Sequence, residues 1–66
     1  MHWVNSNCLH KFQIIYGFKT DDGHEYYVPS GIKVIAITPT GVKLRYKYGD
    51  IETVSKNAIF KVKRRY

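Results

Sequence analysis

Six basic side chains occupy alternate positions in two segments of the second half of the chain. They are Lys43, Arg45 and Lys47 in the first segment, and Lys61, Lys63 and Arg65 in the second. On an extended strand such side chains project from one side about 6.6 Å apart, because each residue advances the chain by about 3.3 Å. That spacing is close to the phosphate spacing of an extended nucleic-acid strand, and phosphate contacts give salt-sensitive affinity for any sequence. If the two strands are neighbours, or are separated by one strand, the two rows form a single patch for a polyanion.

The net charge of +6 supports a polyanionic partner because of where it lies. Residues 1–33 carry three basic and three acidic side chains, whereas residues 34–66 carry eight basic and two acidic ones. Such an asymmetry is typical of proteins that bind polyanions. Outward lysines on an edge strand also protect a sheet from aggregation, so a merely solvated basic face is the alternative interpretation.

The chain is rich in aromatic residues that can stack on nucleic-acid bases. The set consists of Tyr16, Tyr26, Tyr27, Tyr46, Tyr48, Tyr66 and Trp3. Tyr26 and Tyr27 are adjacent, so on a strand one of them faces solvent, and we take Tyr27 as the candidate stacking residue. Tyrosines at half-buried strand positions are also ordinary packing residues, and exposed tyrosine beside arginine equally suits a protein interface.

No catalytic or metal site is predicted. Cys8 and His10, even with His2 and His24, lack the two ligand pairs that a zinc site usually shows. Cys8 also has no apparent base and orienting group for nucleophilic catalysis. The acidic residues fit turns, and the glycines are spaced as turn residues without a phosphate-binding loop. We therefore expect a protein that is not an enzyme and needs no cofactor.

Short alternating segments predict the strands that would carry these residues. Strands are expected over residues 9–19, 25–28, 32–38, 42–48, 51–54 and 59–65. Asp22-Gly23 is a strong hairpin signal between the first two strands, and Gly17 indicates a bulge in the first. Pro29-Ser30-Gly31 should end the second strand, and Ser55 should cap one helical turn over residues 55–58.

This order of strands resembles SH3-like and Sm-like barrels. The fold class is therefore mostly β: a small single-domain barrel of five or six short antiparallel strands, with one helical turn before the last strand. Residues 1–8 form an N-terminal segment without a useful period, and residues 9–66 form the barrel domain. The resemblance is one of architecture, so no functional residue is transferred from it.

The leading functional hypothesis is a small module that binds RNA or single-stranded DNA on a basic sheet face. The alternative is a protein-interaction module, such as an inhibitor, adaptor or accessory subunit, that docks on an acidic partner surface. Assembly into homo-oligomers through sheet edges is compatible with either hypothesis. The lone cysteine favours a reducing compartment, and there is neither a signal-peptide pattern nor an apolar run that could span a membrane, so a cytoplasmic protein is expected.

Overall fold

β-branched and aromatic residues that alternate between two faces form six strands in the computed structural model, which describes residues 2–63. The elements are β1 (His2–Asn5), a 3-10 turn (Ser6–Cys8), β2 (Ile14–Lys19), β3 (Glu25–Ile37), β4 (Gly41–Arg45), β5 (Ile51–Ser55) and β6 (Ile59–Val62). Hydrogen bonds between Thr20 and His24 close the predicted hairpin turn between β2 and β3.

All six strands pair in one antiparallel sheet in the order β1-β6-β2-β3-β4-β5. The predicted mostly β, antiparallel fold is thereby confirmed. Within residues 2–63 the end strands β1 and β5 do not pair with each other, so the sheet is not closed into a barrel. No helix in this part of the chain is both long and apolar enough to cross a bilayer.

One side of the sheet forms the hydrophobic core. Its buried members are Leu9, Ile15, Phe18, Ile32, Val34, Val42, Leu44, Val54, Ala58, Phe60 and Val62. Phe18 and Phe60 lie directly opposite each other on β2 and β6, and both are almost completely buried. Residues that alternate with these core positions therefore face outward, and they form the surface on which a site has to be sought.

A large irregularity interrupts the pairing of β2 with β3. Ile15 lies opposite Ile32 and Gly17 lies opposite Tyr27, so residues 28–31 of β3 face only one residue of β2. Pro29-Ser30-Gly31 does not end the strand as expected. β3 instead continues through these residues as one strand, because Gly31 adopts φ of 91°, a conformation that glycine enters without steric cost.

Several predicted boundaries differ from the structure. β4 ends at Arg45 because the chain turns back there, with the Tyr46 N–H donating to the Asp50 carbonyl. β6 ends at Val62, so Lys63 lies just beyond it, and Arg65 lies outside the described residues.

The predicted helical turn before the last strand is wrong in position. Residues 55–58 form a hydrogen-bonded turn in which the Ala58 N–H donates to the Ser55 carbonyl. The 3-10 turn lies instead at Ser6–Cys8, directly after β1. β1 itself pairs with β6. Residues 2–5, which show no clear period in the sequence, therefore form a strand through hydrogen bonds to a segment that is distant in the chain.

Candidate nucleic-acid interface

Two cations lie directly opposite each other on the outward side of β3 and β4. Lys33 pairs in register with Arg45, and both side chains are exposed. In the described part of the chain neither residue forms a salt bridge; the ion pairs found there are Lys19 with Glu25 and His24 with Asp22. Like charges at opposed strand positions repel each other, so this arrangement opposes folding and favours an external anion.

Lys33 is not among the candidate residues predicted from the sequence. The segment over residues 32–38 is apolar on both faces apart from Lys33 and the final Thr38, a pattern typical of a strand covered on both sides. Lys33 is the one charge in that segment, and it lies between the buried Ile32 and Val34. Lys33 therefore interrupts the apolar pattern on the face that it shares with Ile35 and Ile37. This interruption is the sequence signal that this face of the strand is open to solvent.

A groove of about 490 Å³ adjoins this pair of cations. Its lining includes the apolar side chains of Phe12, Ile14 and Ile35 and the cations Lys33, Arg45 and Lys47. None of the lining residues is acidic. The volume lies within the usual range for small-ligand sites, and a lining of apolar and cationic side chains suits a ligand that has both an apolar body and negative charge.

Tyr46 also lines the groove, and its hydroxyl is held in a fixed position. The hydroxyl donates a hydrogen bond of 2.6 Å to the Oε1 atom of Glu52. The phenol is neutral at physiological pH because the ordinary pKa of tyrosine is 10.0, and burial, together with that hydrogen bond, raises the pKa of Tyr46 further. The ring therefore contributes a neutral wall to the groove and adds no negative charge that would repel a phosphate.

A second cluster lies on the outward side of β1, β6, β2 and β3. Trp3, Lys61, Gly17 and Tyr27 lie opposite one another in a single row across these four strands. The Lys61 Nζ atom lies 5.6 Å from the ring centroid of Trp3 and 4.6 Å from that of Tyr27. The predicted Tyr27 is thus exposed on the same outward surface as the predicted Lys61, and Trp3, another member of the predicted aromatic set, joins them.

The absence of a side chain at Gly17 makes this cluster possible. A Cβ atom there would lie 2.6 Å from the Tyr26 carbonyl oxygen, so even alanine would require the backbone to move. Gly17 separates Lys61 from Tyr27 in the row, and the lysine side chain can therefore lean across it to reach the tyrosine ring.

Glu25 partly neutralises this second cluster. The Tyr27 hydroxyl donates a hydrogen bond to Glu25 Oε1, and this bond lowers the pKa of Glu25, with smaller effects from Lys19 and Lys61. The same bond raises the pKa of Tyr27. Lys61 is therefore a positioned cation that already interacts with two rings and one carboxylate, in contrast to Lys33 and Arg45.

The two predicted basic rows are not neighbours. β6 carries Lys61 and β4 carries Lys43 and Arg45, and two strands, β2 and β3, lie between them. The rows therefore do not form the single patch that is expected if their strands are neighbours or are separated by one strand. The Lys63 Nζ atom lies 6.0 Å from the centroid of the Tyr16 ring, and that ring borders Gly31 in β3.

The remaining predicted cations have different surroundings. Lys43 is exposed on β4, opposite Ala36 on one side and Thr53 on the other. Lys47 lies in the turn after β4, yet it still lines the groove. Of the first predicted row, Arg45 and Lys47 are therefore the members that join Lys33 at the groove.

Residues 2–63 contain no group of three or more histidine, cysteine or acidic side chains placed to bind a metal ion. Cys8 is exposed, and its thiol lies 3.7 Å from the side-chain oxygen of Asn7. This contact is with a neutral amide, whereas nucleophilic catalysis requires a base beside the thiol.

Comparisons of this chain with protein-family models, with curated proteins and with solved structures found no match.

Proposed function

We propose that this protein is a non-enzymatic module that binds single-stranded RNA or DNA across the outward side of β3 and β4. The observation that carries the proposal is the opposed pair of Lys33 and Arg45, two cations without a salt bridge in residues 2–63 beside a groove without an acidic lining residue. Phosphates of the strand would neutralise this pair and relieve its repulsion.

A single strand fits this surface better than a duplex. Phe12 is 63% exposed at the groove, and an exposed aromatic face stacks on unpaired bases of any sequence. The second cluster, with Lys61 and Tyr27, would extend the contact along the strand, with Lys63 and Tyr16 between the two regions. OB-fold domains, a different class of small β domain, bind roughly 4–16 nucleotides, and a site that crosses several strands is compatible with that range.

Two finer features belong to the same proposal. The curled sheet would act as an open relative of SH3-like and Sm-like barrels, with the binding surface on its outer side. The single exposed thiol of Cys8 suits a reducing compartment, so the module would work in the cytoplasm.

Fluorescence anisotropy with labelled oligonucleotides tests the proposal. The probes are 12-nucleotide oligo-U and oligo-dT and a 12-base-pair duplex, each at 50 mM and 200 mM salt. We expect the single strands to bind more tightly than the duplex, with affinity that falls steeply between the two salt concentrations. The double variant Lys33→Glu/Arg45→Glu should lose this binding, and Lys56→Glu, which reverses one exposed charge in the β5–β6 turn, serves as a control outside the surface. Absence of oligonucleotide binding by the wild-type protein at 50 mM salt contradicts the proposal.

A protein-interaction module is the second candidate, and one observation favours it. Ile51 is 58% exposed and lies directly opposite Arg45, so the basic surface continues into an apolar side chain on β5. An acidic protein partner would pair with the cations and cover this isoleucine, and complementary charge would mainly speed association. Recovery of one stoichiometric acidic protein after nuclease treatment, with loss of that protein in Ile51→Asp, would favour this candidate. Light scattering at several concentrations tests the related idea that sheet edges form homo-oligomers.

A further inference from the structure

Phe12 combines two features that a purely structural residue would avoid. Its φ is 72°, a left-handed backbone conformation that is a genuine outlier for a bulky side chain and is energetically unfavourable. Its ring is 63% exposed, so burial of the side chain recovers little of that cost. Strained residues of this kind cluster at ligand sites, where the surrounding structure holds them in place.

Backbone hydrogen bonds fix Phe12 against β3. Its N–H donates to the Val34 carbonyl over 2.6 Å, and the Val34 N–H donates to the Gln13 carbonyl over 2.8 Å. The Gln13 side chain accepts a further bond of 2.8 Å from the His10 N–H. The ring is thus presented at one end of the groove by a segment docked on the same strand that carries Lys33.

The chemistry along the groove changes from apolar to cationic. Phe12 and Ile14 contribute apolar side chains to the lining, and Ile14 lies directly opposite Lys33, which in turn lies opposite Arg45. Adjacent strands are about 4.8 Å apart, so the two cations lie one and two strand spacings from the apolar end. A nucleotide has the same layout, with a planar base linked through a sugar to a phosphate.

We infer that this groove is a nucleotide subsite, in which one unpaired base stacks on the Phe12 ring and its phosphate lies between Lys33 and Arg45. The inference rests on the proposed function and deepens it, because it specifies where a base is recognised and why the strand has to be unpaired. The occupant is a nucleotide unit of a strand rather than an apolar peptide, since the cationic rim has no acidic counterpart in the groove.

The Phe12→Gly variant separates binding from folding. Glycine accepts a positive φ, so the variant should fold, with a urea midpoint equal to or above that of the wild type. Loss of one base–aromatic stack should weaken binding of a 12-nucleotide oligo-U about 5- to 150-fold. Phe12→Tyr should retain the affinity, and Ile37→Ala, an exposed apolar residue of β3 outside the groove lining, should leave it unchanged.

An oligomer of twelve abasic ribose phosphates shows whether the lost contact is made to a base. On this probe Phe12→Gly and the wild type should bind equally, because only the phosphate contacts remain. Uridine monophosphate should compete only weakly with oligo-U, since it fills one subsite.

Two results would overturn the inference. They are unchanged oligo-U affinity in Phe12→Gly and an equal loss of affinity on the abasic probe. If wild-type binding is abolished by Lys33→Glu/Arg45→Glu but insensitive to Phe12→Gly, the subsite is refuted and the proposed function stands. If the wild type binds no oligonucleotide at all, both fail.

Discussion

Lys33 and Arg45 lie at directly opposed positions of β3 and β4, two like charges on the same outward surface. At opposed antiparallel positions the Cβ atoms are about 4.5–5.5 Å apart, and like charges there oppose folding. The sheet retains this repulsion beside a groove whose lining has cations and no acid. Repulsion between like charges that lowers the stability of the fold is expected where a surface binds an anion.

Replacement of Lys33 by glutamate should therefore make the protein more stable while it weakens binding. The new carboxylate would lie opposite Arg45 and convert a repulsive pair into an attractive one, a gain of about 0.2–1 kcal/mol in the free energy of unfolding. Urea titration measures the gain, and oligonucleotide titration measures the loss of affinity. Lys56→Glu makes the same charge change in an exposed turn and should leave both quantities nearly unchanged. A fall in the urea midpoint of Lys33→Glu would show that the pair does not repel.

The salt dependence of binding should distinguish the two basic clusters. The logarithm of the affinity falls as the logarithm of the salt concentration rises, and each phosphate contact on a single strand adds about 0.7 to the magnitude of this slope. Lys33→Gln should reduce the magnitude of the slope by about that amount, because the Lys33 ammonium has no salt-bridge partner in residues 2–63. Lys61→Gln should lower it less, because Lys61 already interacts with Trp3 and Tyr27 and lies near Glu25. The reverse order of the two slopes would assign the main phosphate contact to β6.

Removal of the Tyr27 hydroxyl should change the acid titration of Glu25. The hydrogen bond from Tyr27 lowers the pKa of Glu25 from its ordinary value of 4.5, so the bond stabilises the folded state above that pH. The stabilisation is lost as the pH falls through the folded-state pKa. In Tyr27→Phe the pKa of Glu25 should rise toward 4.5, and the difference in urea midpoint between pH 7 and pH 3 should shrink.

Carboxyl NMR shifts followed against pH measure this effect directly. Asp22 is an internal control, because its pKa is lowered mainly by a hydrogen bond from Thr20 and should not respond to Tyr27→Phe. An unchanged Glu25 titration would mean that the lysines, rather than the tyrosine, hold its pKa down.

Gly17→Ala should destabilise the protein through a steric clash. The new Cβ atom would lie 2.6 Å from the Tyr26 carbonyl oxygen, and this backbone atom cannot move without disturbing the ladder between β2 and β3. We expect a loss of about 1–3 kcal/mol in the free energy of unfolding. Gly49→Ala offers a comparison in which nothing lies within 4 Å and only the positive φ of 101° is penalised. Thermal unfolding of both variants measures the difference, and a neutral Gly17→Ala would mean that the two strands can separate at this point.

The sequence predicted the features that depend on near neighbours in the chain. Alternation gave the mostly β class, and Asp22-Gly23 gave the hairpin turn, because turn geometry is decided by a few adjacent residues. It also identified Arg45, Lys47, Lys61 and Tyr27 as outward side chains, since the side-chain period of a strand is local.

Only the tertiary structure decided which of these side chains meet. The bulge opposite Tyr16 and the positive φ at Gly31 keep residues 25–37 in one strand, and strand order places two strands between the predicted basic rows. As a result Lys33 rather than Lys61 is the neighbour of Arg45, and Phe12 is brought to the same groove. Strand order and register depend on how the whole core packs, and no short stretch of residues encodes that packing.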